Sequence, residues 1–71
     1  MKLGIYKHYK GKEYRVIGIA KHSETLEDLV IYEPLYDNGI SKLWARPRSM
    51  FEEEVVVKGE KVSRFKYLRE S

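Results

Sequence analysis

The chain contains no cysteine, which excludes a disulfide scaffold, a thiolate zinc site and a thiol nucleophile. It has no apolar run approaching the roughly 20 residues that a membrane helix needs. Its first ten residues, MKLGIYKHYK, lack the apolar stretch of roughly 7–15 residues found in a secretory signal. No membrane association is therefore expected, and the expected address is cytoplasmic. Internal repeats, low-complexity tracts and an interdomain linker are also missing. What remains is 71 residues, 42% hydrophobic and 35% charged, a balance that excludes a disordered chain and fits one domain spanning residues 1–71. Six Tyr, two Phe and one Trp supply the large-area side chains that so small a core needs.

The net charge is only +3, but it is arranged in blocks. Residues 1–22 sum to +5 and residues 23–37 to −5; Lys42, Arg46 and Arg48 follow with +3, Glu52 to Glu54 with −3, and residues 55–71 with +3. Blocks of this kind either polarise a surface or place strands of opposite sign side by side. The second arrangement is the commoner one, because opposite charges across neighbouring strands attract.

The hydrophobic period is two, the signature of strands. Residues 13–22 place Tyr14, Val16, Gly18 and Ala20 on one face and Arg15, Ile17, Ile19 and Lys21 on the other. Apolar residues on both faces imply a bent strand, with Gly18 permitting the bend. Residues 29–36 form a β-branched and aromatic run that is an edge or breaks at Pro34. Residues 42–46 and 54–57 make further internal strands, and 4–9 and 62–67 the outer ones. Gly11 and Gly59 sit where hairpin turns want positive φ, and Asp37-Asn38-Gly39 is a hairpin signal. A helical turn is expected near residues 48–51, with Ser49 as its cap. Five to six short strands in so short a chain predict an all-β fold, a small antiparallel SH3-like barrel, with a five-stranded OB-fold as the other option. Its minimal core is expected to hold Ile5, Val16, Ile19, Ile31, Leu35, Leu43, Val55, Val57 and Phe65.

Several strings, in order, carry a resemblance: His8-Tyr9-Lys10-Gly11, Tyr14-x-Val16, His22-Ser23-Glu24-Thr25, Val30-x-Tyr32, Leu35-Tyr36, Trp44-x-Arg46-Pro47 and Met50-Phe51. Together they resemble, over residues 4–67, a bacterial family known as domain of unknown function 1653. The resemblance implies an SH3-like barrel and carries no activity with it.

The residues point to binding before catalysis. On their strand, Leu29, Ile31, Leu35, Leu43 and Ala45 form the more apolar parity and are expected to face the core. That would turn Tyr32, Tyr36, Trp44 and Arg46 outward as an aromatic-arginine patch for a protein or peptide. Tyr9, Pro47 and the turn residues His22, Ser23 and Glu24 are further candidates for that surface. The alternative is single-stranded nucleic acid on Lys7, Lys10, Lys12, Arg15, Arg46, Arg48 and Arg64, with tyrosines stacking bases. A hydrolase using the His22-Ser23-Glu24 turn is a distant third, since neighbouring strand residues point to opposite faces and no oxyanion loop accompanies them. Met50 and Phe51 are expected to plug one end of the fold. His8 and His22, the only histidines, are not expected to meet, and no metal, cofactor or catalytic residue is assigned. A homodimer through an edge strand is possible on the sequence alone.

Overall fold

The computed structural model describes residues 1–36 and 42–70. Within them the chain forms strands β1 (Gly4–His8), β2 (Glu13–Lys21), β3 (Asp28–Pro34) and β4 (Trp44–Pro47). A four-residue helix α1 (Arg48–Phe51) follows, then β5 (Glu54–Val57), β6 (Glu60–Ser63) and β7 (Phe65–Arg69). All pairings are antiparallel, in a five-stranded sheet of order β4-β3-β2-β1-β7 and a separate β5-β6 hairpin. The all-β class and the helical turn at 48–51 are as the sequence predicts. The sheets, however, do not close into a barrel, because β4 and β7 remain the edges of one open sheet. The expected strand at 62–67 is two strands, because Arg64 breaks the run between β6 and β7.

Local chemistry explains most boundaries. Gly11, at φ 108°, turns β1 into β2. Lys58 and Gly59 both have positive φ, the requirement of the tight turn that best matches strand twist, and they join β5 to β6. Asp37-Asn38-Gly39 lies outside the described residues. The bend expected at Gly18 is a β-bulge: the β2–β3 register shifts between Val16 and Gly18, leaving Ile17 as the extra residue. β3 ends at Pro34. Proline also acts at α1, where Pro47 occupies the cap position without a side-chain hydrogen bond. The expected Ser49 cap is not formed, because the helix already begins at Arg48.

The core is aromatic. Ile5, Tyr6, Val16, Val30, Tyr32, Phe51 and Phe65 are buried. Directly opposed residues share a face of an antiparallel sheet. The pairs Tyr6↔Tyr14, Val16↔Tyr32, Tyr32↔Trp44, Val30↔Arg46, Tyr6↔Tyr67 and His8↔Phe65 therefore put these paired side chains on one face, while Ile5, opposite Arg15, has the other parity. Phe51 covers that face from α1. Its ring stacks on Phe65 at 4.0 Å and 4° and meets Tyr6 and Tyr32 edge-on at 5.4 Å. Met50, by contrast, is exposed, so Phe51 alone is the plug.

This reverses the parity expected for β3 and β4. Tyr32 is 5% exposed and Val30 fully buried, whereas Leu35, Leu43 and Ile19 are exposed and Ile31 is half-buried. Summed hydropathy favours the aliphatic parity, but the ring-filled face buries more area per residue. The bulge at Ile17 also interrupts the alternation by which a core face is read from sequence.

Two stability outcomes follow. Phe51→Ala should cost about 3–5 kcal/mol in denaturant unfolding, while Leu35→Ala should stay within roughly 1 kcal/mol. Gly4 has φ 144°, and a Cβ there would lie 2.5 Å from the Arg69 carbonyl oxygen. Gly4→Ala should therefore destabilise by roughly 1–3 kcal/mol and loosen amide-exchange protection along the β1–β7 pairing.

Candidate functional site

The aromatic face has two ends. Phe51 seals one. At the other, Phe65 is the hub: His8 lies 4.9 Å away, Tyr14 and Tyr32 each 5.7 Å, and the Arg46 guanidinium carbon sits over the ring at 5.6 Å. The rings here turn their polar tips toward one another. Arg46 Nε donates to the Tyr32 hydroxyl at 3.3 Å. The Tyr14 and Tyr36 hydroxyls are 3.0 Å apart, and the Lys12 ammonium lies over the Tyr36 ring at 4.9 Å. Trp44, opposite Tyr32 on β4, packs on the core while half-buried. The structure thus sets Tyr32, Trp44 and Arg46 on one face, with Tyr36 joined to it through Tyr14, but with Tyr32 in the core and only the rim of the group at the surface.

Arg46 stands apart from the other guanidinium groups. Arg15 pairs with Glu33, Arg48 with Asp28 and Glu52, Arg64 with Glu53, and Arg69 with Glu13. Arg46 has no carboxylate partner among the described residues. Two pairs, Arg15–Glu33 and Lys21–Asp28, join basic β2 to acidic β3, placing those two charge blocks side by side on neighbouring strands. Two buried donors, Trp44 Nε1 and Arg64 Nε, have no hydrogen-bond partner among the described residues.

Electrostatics at this end favour neutral protein groups. Burial, then the nearby Arg46, Arg64 and Lys10, depresses the His8 pKa below the ordinary imidazole value. Its Nδ1 accepts a hydrogen bond from the Lys10 amide, so the neutral ring carries its proton on Nε2. The Tyr14 hydroxyl is pushed up to about 12, first by burial and then by its hydrogen bond with Tyr36. It remains a protonated donor well above neutrality.

The remaining candidates are placed elsewhere. His22 Nδ1 accepts the amides of Glu24 and Thr25, and the Thr25 hydroxyl accepts the Glu27 amide. The His22-Ser23-Glu24-Thr25 string is therefore a self-bonded turn whose imidazole acceptor is already used. His8 and His22 flank opposite ends of the nine-residue β2, on the order of 30 Å apart at ordinary strand rise. Tyr9 is exposed with its ring 4.5 Å from His8, and Pro47 serves the β4–α1 junction. A cavity of about 340 Å³ opens beside His8, walled by Tyr9, Val57 and Val62 and flanked by Lys7 and Lys66, which stand directly opposite each other on β1 and β7. Among the described residues no three His, Asp or Glu side chains converge as a metal site would require. Sequence reasoning missed Tyr14 and His8 as members of this group. The signal was present in the Gly11 turn, whose register sets Tyr14 opposite Tyr6.

The raised Tyr14 pKa has a defined sign. A hydroxyl that titrates higher in the folded state than its ordinary 10.0 stabilises the fold fully below that pH. The contribution is lost as pH rises through about 12. Unfolding midpoints followed upward from pH 10 should fall, and Tyr14→Phe should flatten that fall without abolishing it, since burial also raises Tyr6.

Comparison with known proteins is consistent with this geometry. No curated protein matches the chain. The crystal structure of a DUF1653 protein from Bordetella bronchiseptica superposes with a TM-score of 0.94 at 31% identity, covering 100% of this chain and 91% of that one. Residues 4–67 match the family described as "Protein of unknown function (DUF1653)", and the chain belongs to that family.

Proposed function

We propose that this domain is a non-enzymatic binding module that takes a protein or peptide segment at the open end of its aromatic face. The observation that carries the reading is Arg46, half-buried over Phe65 with its Nε on the Tyr32 hydroxyl, without a carboxylate of its own among the described residues. Trp, Tyr and Arg at the rim of an apolar cluster are the residue types that dominate interface energetics. They present large contact area at small entropic cost. The adjoining cavity, entered past His8 and lined by Val57 and Val62, extends this surface toward the β5–β6 hairpin. Work in the cytoplasm belongs to the same proposal; among the described residues no helix is long and apolar enough to cross a membrane.

Single-stranded nucleic acid is supported less. Of the seven cations it would use, Arg15, Arg48 and Arg64 are engaged by Glu33, by Asp28 and Glu52, and by Glu53, so fewer positive charges remain to displace counterions from phosphates. A hydrolytic role for His22 is supported less again, because its Nδ1 is committed to the turn. Self-association would have to use the open β4 or β7 edge.

An amide NMR titration of the labelled domain with a peptide pool tests the reading. Shifts should cluster on Tyr36, Trp44 and Arg46. Tyr36→Phe and Arg46→Met should weaken binding by about tenfold or more, with the unfolding midpoint close to wild type in the first and no lower than wild type in the second. Binding that survives both variants, or shifts that leave Tyr36, Trp44 and Arg46 unmoved, would sink the proposal.

A further inference from the structure

We infer that Arg46 anchors a carboxylate of the bound segment, so that the ligand is an acidic peptide. This rests on the binding-module reading above and narrows it by ligand chemistry.

The argument starts from donors without acceptors. Arg46 spends Nε on the Tyr32 hydroxyl, which fixes the plane of the guanidinium and leaves its two terminal nitrogens as a fork, the geometry that matches a carboxylate with paired hydrogen bonds. Trp44 Nε1 and Arg64 Nε are buried donors without a partner among the described residues. A buried N–H left unpaired is costly and rare in native proteins, so donors of this kind call for an acceptor from outside. Arg46 and Arg64 both lie within electrostatic reach of the same His8 ring, and Arg46 and Tyr14 interact in the same way. Arg46 lies over the Phe65 ring, so the two guanidinium groups stand at the same end of the face.

Charge selects the acceptor. Arg64 is balanced by Glu53, His8 is held toward its neutral form, and Tyr14 keeps its proton. Among the described residues Arg46 is left without a carboxylate, and the Lys12 ammonium over the Tyr36 ring adds positive charge at the rim. A planar monoanionic carboxylate meets the guanidinium fork with paired hydrogen bonds, whereas a phosphate dianion would carry a larger desolvation cost onto a half-buried apolar platform. Along the adjoining cavity, Lys7 and Lys66 face each other across β1 and β7. Like charges directly opposed are unfavourable, and further acidic side chains of the same ligand would relieve them.

The test uses the whole labelled domain and follows the side-chain Nε–Hε signals of Arg46 and Arg64. Acetate is raised at constant ionic strength against chloride, and inorganic phosphate is run in parallel. Acetate should move both signals saturably. Arg46→Met, which keeps an apolar stem over Phe65, should abolish the response, and Arg46→Lys, which keeps the charge but not the fork, should weaken it by about tenfold. Amide dispersion like wild type in both variants shows that the fold is intact. No saturable response to acetate would overturn the inference, as would tighter saturation by phosphate at the same signals. An oligonucleotide that engages both arginines, with affinity falling steeply in salt, would overturn it in favour of nucleic acid. The two readings can fail separately. Peptides without acidic residues that shift Tyr36 and Trp44 in the Arg46→Met variant would remove the carboxylate anchor and keep the binding module. A saturable acetate response with no peptide binding would keep the anion site and remove the module.

Discussion

The stacking of Phe51 on Phe65 is the contact on which the rest of the molecule depends. A five-stranded open sheet has two faces, and a chain of this length has little else with which to cover either. The cover here is one helical turn, far too short to be stable alone. It is held because Phe51 inserts among Tyr6, Tyr32 and Phe65 and because Arg48 ties the same turn to Asp28 and Glu52. Helix, β1, β3 and β7 are thereby coupled through one side chain. The coupling also fixes where the face is sealed, and so where it is left open.

That division produces the site. Rings that meet edge-on at one end of the face have their apolar bodies satisfied by Phe51 and one another. At the other end the same ring types find no further cover, and their polar atoms turn toward each other and toward the surface. Tyr32 in the core and Tyr14 packed against it are structural by their rings and site residues by their hydroxyls. A role for tyrosine that is half structural and half chemical is the usual consequence of its amphipathic shape.

Much of the fold was legible in the sequence. The period of two located the strands, Gly11 and Gly59 located hairpins, and the run around Met50-Phe51 located the helical turn. The face of β3 and β4 was not legible. Leu29, Ile31, Leu35 and Leu43 outscore Val30, Tyr32, Trp44 and Arg46 in hydropathy, and a parity rule follows hydropathy. Two things defeat the rule here. A thin domain cannot bury both faces of its sheet, so it must choose one, and it buries the rings, which remove the most area from water. The bulge at Ile17 then resets the alternation within β2, so that neighbouring strands cannot be aligned by counting alone. Trp44, Arg46, Tyr32 and Tyr36 were still recognisable as one group, since they share a parity whichever way it faces. His8 and Tyr14 could join it only through pairing across β1, β2 and β7, which no single string displays.

Arg46 is the place where local consistency breaks. Val30, opposite it, is fully buried, and Phe65 offers an apolar ring against which methionine or leucine would pack without desolvating a charge. A half-buried guanidinium without a carboxylate costs stability relative to such a residue. The neighbouring strands show that this chain supplies partners elsewhere: Arg15, Lys21, Arg48, Arg64 and Arg69 all have them. Among the arginines of the described residues the rule is kept at Arg15, Arg48, Arg64 and Arg69 and broken at Arg46, which marks a position shaped by something other than folding. In a domain this small, which has little stability to spare, such a departure is hard to account for unless the unpaired charge meets its counter-charge on another molecule.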